Sequence, residues 1–344
     1  MNVYFDPAQK SHAPKHFLVS GAPQPSPEKP ERADAMLQGA VDAGLTPVTP
    51  PDAGLGPIAA VHTPEYITFL STIYERWRRI DGASAEVVPN IHPDRRDGAY
   101  PKSAVGQAGY HMADTACPIS ADSWGSIRRS ADAAAAAAGE VAESTAASAG
   151  RKNAYALCRP PGHHAFADMA GGFCFVNNSA VAAGVLRGRY DRVAILDVDL
   201  HHGNGTQGIF YARPDVLTVS IHADPVRFYP FFWGHADERG AGAGLGYNYN
   251  LPIARGTGDA DYMPTLDAAL TRIAGFAPGA LVVALGLDSR ADDPFGGLAL
   301  TPDGYGAIGR AIAALDLPTV IVQEGGYLSE NLGATLTSFL EPMT

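Results

Sequence analysis

The chain has 344 residues, 46% of them hydrophobic and 18% charged, which is the balance of an ordinary globular protein. Its formal net charge of −11 argues against a nucleic-acid-binding surface, and no apolar run approaches the roughly 18 residues that a membrane span requires. The three cysteines form no CxxC pair, and the N-terminal segment lacks the apolar core of a signal peptide. We therefore expect a cytoplasmic protein in a reducing compartment.

Short apolar segments alternate with segments of helical periodicity along the chain. The predicted strands are Asn2–Phe5, Ala154–Leu157, Val193–Val198, Leu217–Ile221, Leu281–Leu287 and Thr319–Val322. The predicted helices are Glu31–Ala43, Pro64–Arg79, Ser126–Ala147, Ser179–Arg187, Asp261–Ala274 and Pro302–Leu315. This alternation predicts an α/β fold with an open, mainly parallel sheet and helices on both faces. We see no linker, so we expect a single domain over residues 1–344.

Two segments interrupt the alternation. Ala83–Trp124 is rich in Pro, Gly, Asp and Arg, lacks clear periodicity, and is predicted to be a long insertion. Asp224–Gly246 begins with aromatic residues and then becomes rich in glycine. Long irregular loops in a compact domain are usually functional, although a surface loop packed on its own aromatic side chains remains an alternative for the second segment.

The segment Ile195–Gly205 begins as a buried strand and ends in acids, histidines and glycines. Asp199 and His201 are two residues apart, so on an extended backbone both side chains point to the same side. A third acid, Asp288, follows another apolar strand and would lie at the same edge of the sheet. The alternative for this residue alone is a helix N-cap. A catalytic metal site needs three such ligands and an open position, so the sequence predicts a metalloenzyme.

Two further polar clusters follow predicted strands. Arg159–His164 ends in adjacent histidines after a Pro-Pro-Gly turn, and Gln323–Tyr327 places two glycines before a tyrosine. A single histidine or tyrosine at a strand end would more often be structural. Four clusters at the ends of different strands are much harder to explain that way, because parallel strand ends meet at one edge and build a site there.

The chain resembles the zinc-dependent histone deacetylase-like amidohydrolases of the arginase/deacetylase superfamily over nearly its whole length. The matching motifs are Arg159–Ala165 (RPPGHHA), Gly171–Asn178 (GGFCFVNN), Leu196–Gln207 (LDVDLHHGNGTQ), Gly286–Pro294 (GLDSRADDP) and Glu324–Tyr327 (EGGY). Within the family, the insertion and Asn204 are most similar to bacterial acetylpolyamine amidohydrolases, which are typically dimers. The resemblance therefore implies a homodimer.

The resemblance implies one Zn²⁺ per subunit, held by Asp199, His201 and Asp288. Fe²⁺ and Co²⁺ accept the same mixed ligand set, so the sequence leaves the physiological metal open. Two carboxylate ligands reduce the Lewis acidity of the ion relative to a three-histidine site. A protein base is then needed to take the proton as water attacks the substrate.

The family roles of the remaining polar residues fall on matching positions. His164 would be the general base and then the acid that protonates the leaving amine, oriented by Asn204. His163 would pair with Asp197 and stay largely cationic, because a neighbouring carboxylate favours the charged imidazole. Tyr327 would donate a hydrogen bond to the developing oxyanion. His202, which faces away from the ligands, is expected to be structural.

Further positions match features found in some family members. The backbone carbonyls of Asp197, Asp199 and His201, together with Ser220, match a site for a monovalent cation such as K⁺. Gly172, Phe173 and Tyr229 or Phe231 would line an apolar tunnel for an alkyl chain. Core packing is an equal alternative for any one of these aromatic residues.

The expected substrate is a small N-acetylated amine, above all an acetylpolyamine such as acetylputrescine, acetylcadaverine or acetylspermidine. Polyamine-selective relatives meet the distant ammonium with carboxylates on the insertion, but here Ala104 and Val105 precede Gly106-Gln107. Glu86, Asp94 or Asp97 are the substitutes available, each more often a solvated charge.

Three other functions remain to be weighed. One is an acetyl-lysine protein deacetylase. Another is a manganese ureohydrolase, disfavoured because no Asp stands two residues after Asp288. The third is a protein that binds acetylated amines without cleaving them, for which His163, His164 and Tyr327 would not be required.

Overall fold

A computed structural model of the protein describes residues 1–144 and 153–344. The described part of the chain contains ten strands: Asn2–Tyr4 (β1), His16–Val19 (β2), Ala22–Pro25 (β3), Thr46–Val48 (β4), Asn153–Ala156 (β5), Val193–Asp197 (β6), Val216–Ala223 (β7), Asn248–Ile253 (β8), Ala280–Leu285 (β9) and Thr319–Gln323 (β10). Within these residues, eight strands form one sheet in the order β4-β1-β5-β10-β9-β6-β7-β8, and β2 pairs with β3 in an antiparallel hairpin. Every pair in the large sheet is parallel. The predicted α/β fold with an open parallel sheet is confirmed.

The α-helices of the described residues are Glu31–Asp42 (α1), Gly56–Ala59 (α2), Pro64–Trp77 (α3), Ala104–His111 (α4), Ser123–Glu143 (α5), Asn178–Arg187 (α6), Asn204–Phe210 (α7), Asp259–Phe276 (α8), Pro302–Ala313 (α9) and Leu332–Leu340 (α10). Alternate residues of a strand point to opposite faces of a sheet. In β6, Ala194 and Leu196 accordingly pack in a core with α1, α8, α9 and α10. Val193 and Ile195 pack on the other face with α3, α5 and α6. Helices therefore cover both faces, which explains why the central strands are continuously apolar.

The alanine-rich part of α5 packs closely on its neighbours. Ala133, Ala134, Ala137 and Ala138 are fully buried, and the helix contacts α6 and β5. Alanine is the strongest helix former and its small side chain permits a short distance between a helix and a sheet. This segment is therefore part of the core.

All six predicted strands are present. The edge strands β4 and β8 and the β2–β3 hairpin were not predicted. Each of β3, β4 and β8 contains at least one proline, which cannot donate a backbone hydrogen bond and weakens a strand pattern. Edge positions tolerate this loss because one side of the strand has no neighbour.

The six predicted helices are also present, with small shifts at their ends. The prediction that Ala83–Trp124 lacks regular structure was wrong in part, because α4 lies within it. The Ser103 hydroxyl accepts a hydrogen bond from the Gly106 N–H and begins this helix. The predicted end of the fifth helix at Ala147 lies outside the described residues, and α5 ends at Glu143.

The strand order brings four carboxyl ends together. Because β5, β10, β9 and β6 are neighbours, the segments that follow them leave the sheet side by side. Ligands of open α/β folds bind at this edge. Among the described residues, no helix has the length and apolar composition needed to cross a membrane.

Candidate active site

The four polar clusters predicted from the sequence line one cavity of about 350 Å³ at the carboxyl edge of the sheet. Ten of the sequence-predicted site residues form part of its wall: His163, His164, Gly172, Phe173, Asp199, His201, Tyr229, Phe231, Asp288 and Tyr327. Asp197, Asn204 and Ser220 are buried but are not part of this wall. The expected convergence of separate strand ends is present in the structure.

Asp199, His201 and Asp288 bring one ligand atom each to within 4.8 Å of one another. The His201 Nδ1 atom lies 3.4 Å from Asp199 Oδ1 and 3.2 Å from Asp288 Oδ2. Backbone N–H groups fix the carboxylates, since Gly325 donates to Asp199 Oδ2 at 2.8 Å and Leu200 donates to Asp288 Oδ1 at 3.1 Å. The three side chains are therefore held in place by the folded backbone.

The donor set fits a divalent cation. Both carboxylates are fully buried, and within the described residues their ion-pair partners are histidines alone. Burial and the neighbouring Asp199 carboxylate raise the pKa of Asp288. Burial opposes ionisation of Asp199, but His163 and His201 outweigh it and lower its pKa. A bound dication would relieve the repulsion between two buried acids.

Two glycines leave the space that these acids occupy. A Cβ atom on Gly286 would lie 2.1 Å from Asp199 Oδ2, and one on Gly325 would lie 2.4 Å from Asp288 Oδ2. Any larger residue at either position would displace a carboxylate. The glycines of the Gly286–Pro294 and Glu324–Tyr327 motifs thus serve the close approach of backbone to the acids.

His163 is held between two acids. Its Nδ1 atom lies 3.0 Å from Asp197 Oδ2, and its Nε2 atom lies 3.8 Å from Asp199 Oδ1. Burial by itself would lower the pKa of His163, but the Asp199 and Asp197 carboxylates outweigh it and raise the pKa to about 10. The two carboxylates therefore favour the cationic form of the imidazole.

His164 has the opposite electrostatic environment. Its Nδ1 atom lies 2.7 Å from the Asn204 side-chain oxygen. That oxygen accepts a hydrogen bond, so Nδ1 carries the proton of the neutral ring and Nε2 is unprotonated. Burial, followed by the positive charges of His163 and His201, lowers the pKa of His164 well below its usual value. A neutral imidazole with a free Nε2 can accept a proton.

Glu324 is a buried acid of the site whose role the sequence did not indicate. One carboxylate oxygen accepts hydrogen bonds from the Gly162 and His163 N–H groups at 2.6 and 2.9 Å, and the other accepts from the Ser179 hydroxyl at 2.8 Å. With His163 and Cys174 it forms a second group of potential ligand atoms in the described residues. Both oxygens therefore already accept hydrogen bonds, and those from Gly162 and His163 attach the loop with the two adjacent histidines to the end of β10.

Tyr327 is held by its backbone. Its N–H donates to Asp293 Oδ2 at 3.0 Å, and its carbonyl accepts a hydrogen bond from Arg290 Nη2 at 3.1 Å. Its ring lies 4.9 Å from the Phe295 ring and 5.9 Å from the Phe173 ring. Burial raises the pKa of Tyr327 well above its usual value, so the hydroxyl keeps its proton and can donate it in a hydrogen bond.

Ser220 lies next to Asp197 on the neighbouring strand, at paired positions of β6 and β7. Its hydroxyl lies 2.8 Å from His222 Nδ1. Asp197, Ser220 and His202 line a second cavity of about 10 Å³. The His202 ring packs against the His222 ring at 4.6 Å, and His202 does not line the main cavity.

The aromatic wall is more extensive than predicted. Phe173 contacts Phe17 of the β2–β3 hairpin, with ring centroids 5.5 Å apart, and Phe228 stacks on His201 at 5.0 Å. Tyr229 packs edge-on against His164 at 4.9 Å. Phe231 is 51% exposed, so it lies at the mouth of the cavity. Of these, Phe17 and Phe228 were absent from the predicted tunnel.

The predicted substitutes for the missing insertion acid do not reach the cavity. Glu86, Asp94 and Asp97 are absent from its wall. Asp97 pairs with Arg95 at the surface, and Glu86 accepts a hydrogen bond from the Lys15 N–H. The acid that the insertion does contribute to the wall is Asp114.

Known proteins match this chain in sequence and in structure over nearly its whole length. A sequence profile of the histone deacetylase domain matches residues 26–343. The chain is 47% identical to an acetylpolyamine amidohydrolase of Burkholderia pseudomallei, over 98% of this chain and 97% of the relative. It is 40% identical to an acetylpolyamine amidohydrolase of Mycoplana ramosa, over 99% of both chains. A crystal structure of the acetylpolyamine aminohydrolase from Burkholderia pseudomallei matches with a TM-score of 0.94 and 46% identity, covering 99% of this chain and 98% of that chain. The chain belongs to the histone deacetylase domain family.

Proposed function

We propose that this protein is a metal-dependent amidohydrolase that removes acetyl groups from N-acetylated amines, most of all acetylpolyamines. The observation that carries the proposal is the convergence of Asp199, His201 and Asp288 with two histidines and Tyr327 in one cavity. Relatives that are 40–47% identical over nearly the full chain are named acetylpolyamine amidohydrolases. Acetylputrescine, acetylcadaverine and acetylspermidine are the substrates we expect.

Asp199, His201 and Asp288 would hold one Zn²⁺. When bound, the ion would polarise the acetyl carbonyl and make water a better nucleophile. The buried, mixed carboxylate and imidazole donors support zinc, because both are ligand types that zinc accepts. The backbone carbonyls of Asp197, Asp199 and His201 with Ser220 would hold a K⁺ ion. The pairing of Asp197 with Ser220 supports that assignment.

His164 acts as the general base. Its unprotonated Nε2 takes a proton from the attacking water, and the same atom then delivers that proton to the leaving amine. The Asn204 amide orients the ring without adding charge, which keeps the pKa of His164 low. A carboxylate in the place of Asn204 would raise it.

His163 and Tyr327 stabilise negative charge as it develops. The His163 imidazolium, held by Asp197, adds a fixed positive charge beside the reacting centre. The protonated Tyr327 hydroxyl donates a hydrogen bond to the carbonyl oxygen as it becomes an oxyanion. These groups stabilise the transition state more than the ground state, which distinguishes a catalyst from a protein that only binds acetylated amines.

Arg290 disfavours a ureohydrolase with two metal ions. It stands two residues after Asp288, is buried, and donates to the Tyr327 carbonyl. A second cation there would meet a guanidinium instead of a carboxylate.

We also propose that residues 1–344 form one catalytic domain and that the protein is a homodimer. Side chains at the cavity mouth support the dimer, because Leu18, Val19 and Phe231 line the cavity and are 44%, 45% and 51% exposed. Phe232, beside them in sequence, is 84% exposed. Sedimentation equilibrium tests this proposal, since a mass near 36 kDa would exclude a dimer.

Steady-state kinetics of the zinc-loaded protein test the substrate proposal. We expect higher kcat/KM for acetylputrescine, acetylcadaverine and acetylspermidine than for an acetyl-lysine peptide. Turnover of the peptide alone would favour a protein deacetylase. No turnover of any acetylated amine would overturn the proposed function.

A further inference from the structure

Asp114 connects two parts of the cavity wall that are distant in sequence. We propose that Asp114 is a positioning residue that joins these two parts through the Gly172 N–H and the Tyr229 hydroxyl, and that it thereby sets the width of the substrate tunnel. The inference rests on the proposed function, because the tunnel must admit an N-acetylated amine.

The carboxylate of Asp114 has four hydrogen-bond partners, one of them the Cys117 thiol at 3.9 Å from Oδ1. Oδ2 accepts from the Tyr229 hydroxyl at 2.8 Å and from the Gly172 N–H at 3.0 Å. Oδ1 accepts from the Ala116 N–H at 2.8 Å. Tyr229 and Gly172 are 57 positions apart in sequence, and Asp114 belongs to neither segment. A single carboxylate oxygen therefore joins two segments of the cavity wall.

Asp114 is itself fixed to the body of the protein. The Ala113 N–H donates to the Ala170 carbonyl at 2.7 Å, and the Ala170 N–H donates to the His111 carbonyl at 2.8 Å. These bonds attach the end of the insertion to the residues that precede Gly172. The position of the Asp114 carboxylate is set by backbone pairing, so it can restrain its partners.

Tyr229 is held against the reacting centre by this bond. Its ring packs edge-on against the His164 ring at 4.9 Å and lies 6.0 Å from the His201 ring. Its hydroxyl is close to the Gly172 backbone, since a Cβ atom on Gly172 would lie 2.9 Å from Tyr229 Oη. A side chain at position 172 would therefore displace the Tyr229 hydroxyl from its bond with Asp114.

Phe173 continues the wall in a strained conformation. Gly172 and Phe173 have φ values of +52° and +69°, and the Gly171 and Cys174 backbones exchange hydrogen bonds across them. This is a tight turn in which glycine is favoured at both central positions, so a phenylalanine there has to be held by its surroundings. The bond from the Gly172 N–H to Asp114 provides part of that restraint.

These contacts predict selection by shape. A straight methylene chain next to the acetamide would fit between Phe173 and Tyr229, whereas a methyl branch at the first carbon would collide with one wall. One extra methylene in a closely fitting apolar site is worth about 10–200-fold in kcat/KM. The Tyr229–Asp114 bond makes the site closely fitting, so its loss should reduce this discrimination.

The test compares N-acetylputrescine with its analogue methylated on the carbon that bears the acetamide nitrogen. Tyr229→Phe removes one hydroxyl. Asp114→Asn cannot offer an oxygen at both carboxylate positions, so at least one of its partners loses an acceptor. Tyr100→Phe is the matched control, because it removes a hydroxyl that contacts His111 Nε2 at 2.9 Å on the same insertion but outside the cavity wall.

We expect the wild-type protein and Tyr100→Phe to prefer the straight substrate, and Tyr229→Phe and Asp114→Asn to lose about 10-fold of that preference. An unchanged preference in Tyr229→Phe, whatever its absolute activity, would overturn the inference. If thermal unfolding shows that Asp114→Asn is not folded, the result for Tyr229→Phe alone decides whether the inference stands.

N-butylacetamide, which has the same chain without an ammonium group, tests the opposite role for Asp114. If Asp114→Asn weakened turnover of N-acetylputrescine but not of N-butylacetamide, Asp114 would bind the ammonium directly and the positioning role would be wrong. Wild-type protein that hydrolysed no acetylated amine would instead refute the proposed function. The two failures are therefore distinguishable.

Discussion

His163 and His164 are adjacent in sequence and their ring centroids lie 4.0 Å apart, yet the protein displaces their pKa values in opposite directions. His163 faces Asp197 and Asp199, which outweigh its burial. His164 faces a neutral amide, and its burial next to the His163 imidazolium lowers its pKa. The environments of these two chemically identical side chains therefore suit the proposed roles of a fixed cation and a neutral base.

The partner of His164 offers a direct test of this assignment. A base works only when it is unprotonated, so kcat/KM should fall as the pH drops through the pKa of His164. Asn204→Asp places a negative charge 2.7 Å from Nδ1 and should raise that pKa. We expect the acid limb of the kcat/KM profile to move upward by about 1–3 pH units. If Asn204→Asp lowered the rate but left the acid limb where it is, the role of His164 would be contradicted. Asn204→Ala is the control, because it removes the hydrogen bond that orients His164 without adding a charge.

Tyr327→Phe removes the proposed oxyanion donor and nothing else. The loss of one such donor typically lowers kcat about 10²–10³-fold. KM should change little, because the hydrogen bond strengthens only as charge develops. Steady-state kinetics with acetylputrescine measure both constants. Full activity in this variant would exclude Tyr327 from the mechanism.

Asp293 should influence kcat through Tyr327. Its carboxylate accepts the Tyr327 N–H at 3.0 Å, and Asp293→Ala leaves that group without this acceptor. We expect a loss of about 1–3 kcal/mol in the free energy of unfolding together with a lower kcat. Asp293 accepts from the Phe295 N–H with its other oxygen, so Asp293→Asn can keep only one of the two bonds and should recover part of kcat. If Asp293→Ala lost stability but kept kcat at a permissive temperature, the residue would be structural only.

The metal assignment predicts that zinc stabilises the folded protein. A ligand present at 100 times its Kd stabilises the native state by about 2.7 kcal/mol, so the midpoint of thermal unfolding should rise when zinc is added to metal-free protein. Asp288→Asn should abolish most of this rise. Asp292→Asn, which alters an acid that pairs with Arg290 outside the cavity wall, should keep it. An equal rise in both variants would place the ion elsewhere.

The central sheet and the residues at its carboxyl edge could be predicted because each depends on a short, continuous segment of sequence. Residues 193–196 are all apolar because helices cover both faces of the strand. Parallel topology then brings Asp199 and Asp288 to one edge. The motifs also predicted the different hydrogen-bond partners of His163 and His164, since Asp197 and Asn204 occur within one short segment.

The rest of the cavity depends on contacts between residues that are far apart in sequence, and no short sequence pattern predicts such contacts. Phe17 reaches Phe173 across more than 150 positions of sequence. Its hairpin contains two prolines in β3, so it gave no clear strand signal. Asp114 lies in the insertion among residues without periodicity, and its partners became visible only when Gly172 and Tyr229 were brought together.

Zinc titration of the metal-free protein, with acetate release from acetylputrescine as the readout, tests the central claim most directly. The account predicts that the rate rises in proportion to added zinc and reaches a plateau at one equivalent per chain. A rate that is independent of zinc, or a fully loaded protein that releases no acetate, would contradict it.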